Sequence, residues 1–152
     1  GIRVPYIVSW PQVIPGGQVY DAPVISLDVA ATALAAAGME QPEELDGMNL
    51  IPYLTGEAEG VPHERLYWRF SNQAAVREGN WKYLFAGGHE FLFDLDTREG
   101  ENKNLILRYP EKAAQLKNGL ETWTNELEPP GMPGNTFIQV EKLYYKFYFN
   151  LE

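Results

Sequence analysis

The chain has 152 residues, of which 45% are hydrophobic, enough for one compact core with a small additional layer. Its formal net charge of −9 argues against a nucleic-acid or anionic-membrane partner, because both attract proteins through Lys and Arg. The absence of cysteine excludes disulfides, thiolate metal sites and cysteine nucleophiles, and the longest apolar run, residues 29–38, is too short to span a bilayer.

The first predicted element is a strand over residues 3–10, where β-branched and aromatic residues run up to Pro11 and leave both faces apolar. Residues 26–37 predict a helix with Ser26 as N-cap, Asp28 in the first turn and Gly38 after its end. Because the helix is apolar almost all round, both elements are expected to lie inside a larger body. The chain starts without methionine or a signal peptide, so a preceding segment is expected.

Residues 41–62 are rich in Glu, Pro and Gly, which predicts a loop with a short helical turn near residues 50–54 and a domain boundary near residue 60. Apolar residues then alternate over 66–70, 81–85 and 91–95, which predicts an antiparallel meander with one apolar face. A helix from Pro110 to about Leu127 has an apolar stripe that would cover this face. The predicted core between sheet and helix includes Trp68, Trp81 and Trp123.

The fold class predicted is therefore α+β: an antiparallel sheet covered by a C-terminal helix, preceded by the strand and buried helix of residues 1–60. The sheet and helix occupy residues 61–130. The remaining residues, 131–152, are rich in Tyr and Phe and are predicted to form an edge strand. A self-association surface is the alternative for this aromatic tail, because exposed aromatic strand edges invite pairing.

The residues themselves identify no active site. Neither His63 nor His89 has a second ligand at helical spacing that would complete a zinc pair, so both are interpreted as loop residues. The acidic stretch over residues 94–101 has Arg98 and Glu99 where a calcium loop needs an oxygen ligand and a glycine, so a solvated turn is the better interpretation. Nucleophile-elbow, phosphate-loop and dinucleotide-binding motifs do not occur.

Six short segments follow one another in an order that is more specific than any one of them. They are Gly1 with Arg3-Val4-Pro5 and Trp10-Pro11; Asp28, Thr32 and Ala37-Gly38; Leu45-Asp46-Gly47 with Leu50; Leu66-Tyr67-Trp68; Ala75-Val76-Arg77 with Gly79 and Trp81-Lys82; and Phe93-Asp94-Leu95 with Glu101 and Asn104-Leu105. Together they resemble the C-terminal part of the arylsulfatases. The family often has Asp-Pro where Arg98-Glu99 stand, and the tail beyond Pro130 matches no family segment.

The resemblance implies that the parent protein is an alkaline-phosphatase-like sulfuric ester hydrolase, with the first strand and helix belonging to its large α/β sheet. Such enzymes use a formylglycine made from Cys or Ser in a C/S-x-P-x-R motif, beside a calcium ion. Neither the motif nor the calcium ligands occur here, so no catalytic or metal residue is assigned and this chain alone is expected to be inactive. The parent's substrate would be a sulfated small molecule or carbohydrate, and the family is commonly periplasmic, secreted or lysosomal.

In this family the C-terminal sheet borders the substrate cleft, which makes three polar residues near strand ends candidates for substrate contact. They are His89, Arg69 and Asn72. Two alternatives remain open at this point: a related phosphoesterase parent, and a stand-alone module for carbohydrate binding or assembly that uses the aromatic tail.

Overall fold

The computed structural model describes residues 2–70, 73–129, 143 and 145–147. The chain divides into two compact units, residues 1–64 and 65–152.

The first unit contains two helices, α1 (Asp28–Ala36) and α2 (Ile51–Thr55). Helix α1 ends as predicted: Gly38 has φ +69°, the Gly38 amide donates to Ala35 O and the Met39 amide to Leu34 O, which is a Schellman motif. Its start differs from the prediction. Leu27 and not Ser26 is the N-cap residue, and no side chain caps this end.

The predicted strand over residues 3–10 is absent, and most of its apolar side chains are exposed, Ile7 to 88%. A strand requires a hydrogen-bonded neighbour, and within the described residues the only sheet is formed by other segments. Along helix α1, only Asp28 and Ala31 are buried within this chain, and its burial inside a larger body stays a prediction.

The second unit contains a four-stranded antiparallel sheet in the order β1-β2-β3-β4, which confirms the predicted meander. The strands are β1 (Arg65–Phe70), β2 (Gln73–Glu78), β3 (Trp81–Ala86) and β4 (His89–Asp94). Gly87 and Gly88 connect β3 to β4 with φ of +59° and +81°, the two positive values that a tight hairpin turn requires.

Helix α3 (Pro110–Asn125) covers one face of the sheet, after a short 3₁₀ turn at Gly100–Asn102. The core between them contains residues from three strands and from the predicted stripe of the helix: Val76, Tyr83, Leu92, Ala113, Leu116 and Leu120. The α+β fold class, a sheet meander covered by a C-terminal helix, is therefore confirmed.

The sheet is apolar on both faces, which corrects the prediction of a single apolar face. Tyr67 lies opposite Val76 on the α3 side, so its neighbour Trp68 points to the other side with Ala75. Trp68 therefore lies outside the core between sheet and helix, whereas Trp81 and Trp123 pack against it. On the face opposite α3, a second buried cluster contains Ala86, Phe91, Phe93 and Tyr145.

Most of the predicted edge strand over residues 131–152 lies outside the described residues. The described residues of this tail, Leu143 and 145–147, are helical and not extended. Local side-chain packing explains the difference, because Tyr145 is buried against the sheet face and not aligned along a sheet edge. Among the helices of the described chain, none combines the length and apolar character needed to cross a membrane.

Candidate functional site

His89 is the first residue of β4, directly after the Gly87-Gly88 turn, and its side chain is exposed. Its ring lies 6.5 Å from the ring of Phe91, measured between centroids. His89 therefore lies beside the tip of the β3–β4 hairpin, and its contact with a substrate stays a prediction.

Arg69 lies near the end of β1, where its guanidinium Nη2 donates a hydrogen bond to the carbonyl oxygen of Glu128, just beyond α3. Next to it, Tyr67 stacks on Trp123 of α3 with ring centroids 5.1 Å apart. Arg69 thus contributes to fixing the end of the helix on the sheet. Asn72, the third candidate, lies outside the described residues.

The sheet does not bring His89 and Arg69 together. They lie at the same end of the sheet but on its two edge strands, β1 and β4. Three strand spacings separate these strands, so the two backbones are about 14 Å apart. They also point to opposite faces: Arg69 pairs with Ala74 on the α3 side, while His89 pairs with Ala86 on the other side. One small ligand group cannot contact both side chains directly.

A buried polar cluster in the first unit has Asp28 at its centre. Asp28 is fully buried, and its carboxylate accepts hydrogen bonds from the backbone amides of Ile25 and Met48, both at 2.8 Å. The Nε2 atom of His63 lies 2.8 Å and 3.0 Å from the two carboxylate oxygens. Since carboxylate oxygens accept, His63 donates through Nε2, and Asp28 joins three separate chain segments.

The loop after α1 approaches the start of the helix too closely for any side chain at position 47. A Cβ on Gly47 would lie 2.2 Å from the backbone oxygen of Leu27. One helical turn further on, Thr32 Oγ1 accepts a hydrogen bond from the Leu50 amide at 3.0 Å. Asp28 and Thr32 of the helix therefore bind the loop at Met48 and Leu50, directly after its glycine.

Sequence reasoning missed the Asp28–His63 pair, because it explained each residue by its local surroundings. The family pattern contains Asp28 and Thr32 on one segment and Gly47 and Leu50 on the next, but it does not contain His63. The structure gives that pattern a physical reason: these residues hold the helix and the loop together.

In the second unit, Asn104 of the last family segment also has a structural role. Its Oδ1 accepts from the amides of Leu92 and Ile106, and its Nδ2 donates to the carbonyl of Glu90. The Leu105 amide adds a bond of 2.7 Å to Leu92 O. Asn104 therefore satisfies backbone groups on the outer edge of β4, where no further strand pairs in the described chain.

Charged groups between sheet and helix are engaged in structural pairs. Burial alone would raise the pKa of Glu78, but hydrogen bonds from Lys112 and Arg65 outweigh it and hold this pKa below its ordinary value. On the neighbouring strands, the hydrogen bond from Lys117 lowers the pKa of Glu90, while burial and Glu90 raise the pKa of Tyr83. These pairs connect α3 to the sheet and provide no free acid or base.

In the residues the structure describes, no three His, Asp or Glu side chains come together to hold a metal ion. In the acidic stretch, Asp94 accepts from the Asp96 amide and Glu101 pairs with Lys82. These residues do not build the calcium site that the resemblance implies for the parent protein.

The sequence profile of the family described as "N-sulphoglucosamine sulphohydrolase, C-terminal" matches residues 1–126. Human steryl-sulfatase is 42% identical over 98 residues, which cover 56% of this chain and 16% of that protein. The chain thus spans well under two thirds of the length of such relatives.

Solved structures share the fold. Ps i-CgsB superposes with a TM-score of 0.69 at 24% identity, covering 93% of this chain and 33% of that one. The phosphonate monoester hydrolase of Silicibacter pomeroyi reaches 0.57 at 25% identity, covering 74% of this chain and 26% of that one.

Proposed function

The chain belongs to the sulfatase family whose profile is described as "N-sulphoglucosamine sulphohydrolase, C-terminal", and from this premise we propose that it completes the fold of a longer sulfatase and borders its substrate cleft. The longer protein hydrolyses sulfate esters, and this part supplies no catalytic residue. The observation that carries the proposal is that the family-matched residues Asp28, Gly47 and Asn104 are all used to hold backbone segments together.

The exposed segment at residues 3–10 supports the same proposal. It has the composition of a strand buried on both faces, yet Val4 is 72% and Ile7 88% exposed. Exposed apolar residues in such a run indicate a surface that another segment covers. We assign residues 1–60 to the trailing edge of the catalytic α/β domain, where the segment pairs with strands of the longer protein.

The chemistry at the sulfate ester would be supplied by groups outside this chain. A calcium ion would polarise the sulfate, and a formylglycine would provide the nucleophile, as the sulfatase resemblance implies. The described residues of this chain do not form a metal cluster, so their part in the reaction is to position the cleft wall and to contact substrate.

His89 is the residue of this chain that the proposal places at the cleft rim. It is exposed, lies at the tip of a rigid two-glycine turn, and can donate or accept a hydrogen bond with a sulfate or a hydroxyl group. Arg69 is held by the Glu128 carbonyl and fits a supporting role better, and Asn72 remains a candidate beside it.

His89→Ala in the longer enzyme should raise KM by roughly three- to tenfold with little change in kcat, the effect of losing one hydrogen bond made equally in the ground and transition states. Steady-state kinetics with an aryl sulfate and with a sulfated sugar would measure it. Arg98→Ala is the control, since Arg98 is exposed in the turn beyond the opposite end of β4. Unchanged KM values for both substrates would show that His89 does not contact the substrate.

Two alternatives are outcomes of the same experiments. The similarity to the phosphonate monoester hydrolase supports a phosphoesterase parent as one alternative. Faster hydrolysis of an aryl phosphate or phosphonate than of the aryl sulfate would favour this alternative. A gene that encodes this chain without a C/S-x-P-x-R segment upstream would favour a stand-alone module for carbohydrate binding or assembly.

A further inference from the structure

The tail beyond the family profile makes a specific contact with the sheet. Tyr145 is only 6% exposed and is clustered with Ala86, Phe91 and Phe93 on the face that α3 leaves open. Phe147, two residues further along the same helical stretch, is 79% exposed. Tyr145 is therefore the tail residue that packs most closely against the sheet among those the structure describes.

The β3–β4 turn is shaped to receive this ring. A Cβ on Gly87 would lie 2.7 Å from two ring carbons of Tyr145, closer than real side chains approach. The neighbouring Gly88 has a similar left-handed backbone but no atom within 4 Å of a Cβ. Gly87 is thus required by two independent constraints, the turn and the tyrosine, whereas Gly88 is required only by the turn.

The covered surface is one that would otherwise attract another molecule. Phe91 and Phe93 stack along β4 with ring centroids 5.9 Å apart, and an uncovered aromatic patch on a sheet favours association. On the outer edge of β4, backbone groups of Glu90 and Leu92 are already bonded to Asn104 and to the Leu105 amide. The face is therefore the route by which a second copy could reach this strand.

We propose that Tyr145 acts as an intramolecular cover, which occupies the aromatic face of β4 and prevents a second copy of the chain from stacking on it. The family profile ends at residue 126, before this part of the chain. The role of Tyr145 is opposite to that of a tail which itself mediates self-association.

The test measures dimerisation of the full chain by light scattering over a concentration series, together with hydrogen exchange of the peptide containing residues 87–95. Tyr145→Ala should raise the association constant roughly tenfold, since it removes most of a buried aromatic side chain, and should speed exchange in β4. Tyr145→Phe retains the ring and should behave as the unchanged chain.

Two glycine variants separate displacement of the ring from strain in the turn. Gly87→Ala should reproduce the effect of Tyr145→Ala, while Gly88→Ala, equally strained but with free space, should leave association unchanged. The double variant Gly87→Ala with Tyr145→Ala should associate no more than Tyr145→Ala alone, because both changes remove one contact. Equal or weaker association of Tyr145→Ala would overturn the proposal, as would equal effects of the two glycine variants.

Discussion

Replacing Gly47 by alanine should destabilise the first unit by about 3 kcal/mol or more, one of the two largest effects we expect from a single substitution. The new Cβ would meet three backbone atoms, Leu27 O at 2.2 Å, Leu27 C at 2.5 Å and Asp28 N at 3.0 Å. Backbone atoms at the start of a helix cannot rotate away as a side chain can. The loop must therefore move, and the bonds from the Met48 and Leu50 amides to the helix lengthen or break.

Amide hydrogen exchange of Met48 and Leu50 measures this loss directly, since both amides are bonded to α1 side chains. Gly16→Ala is the matched control, because Gly16 also lies in the first unit, has no left-handed backbone and has nothing within 4 Å of its Cβ. Unchanged protection of both amides in Gly47→Ala would show that the loop does not approach the helix as described.

Asp28→Asn should cost about 3 kcal/mol, the upper end of the range for a buried polar group left without its hydrogen-bond partner. The neutral amide has one oxygen where the carboxylate has two, so it cannot accept from Ile25, Met48 and His63 at once. Its NH₂ group would also face a donor, which leaves a buried polar group unsatisfied. The segment that contains His63 should then detach from α1.

The control for this substitution is Asp21→Asn, an equal change of charge at an exposed position in the same unit. Chemical unfolding, monitored by amide exchange over residues 25–50, gives the difference in the free energy of unfolding between the two variants. Cleavage by a glutamate-specific protease at Glu57, Glu59 or Glu64 reports detachment of the segment that contains His63. If Asp28→Asn were as stable and as resistant to cleavage as Asp21→Asn, the buried pair would have no structural role.

The sequence predicted the meander and α3 well because both are determined by local periodicity. Alternating residues gave the strands, and the stripe from Ala113 to Leu120 gave the helix that covers them. The glycine turn between β3 and β4 was equally predictable, because glycine readily adopts the positive φ values found at Gly87 and Gly88.

Long-range relationships were not predictable in this way. Period-two patterns show that one side of a strand is apolar but not which side faces the helix, so Trp68 was placed on the wrong face. The strand over residues 3–10 failed because strand formation depends on a neighbour, which this chain does not supply in its described part. Likewise Asp28 and His63 are 35 positions apart, and only the fold shows that they meet.

The most direct test of the central claim is an arylsulfatase assay with calcium, carried out on this chain alone and on the longer protein encoded by its gene. We expect sulfate release by the longer protein and none by the chain, because the proposed role of the chain is to stabilise and border a catalytic site that lies outside it. Sulfatase activity in the chain alone would contradict this account, since its own residues would then have to perform the chemistry.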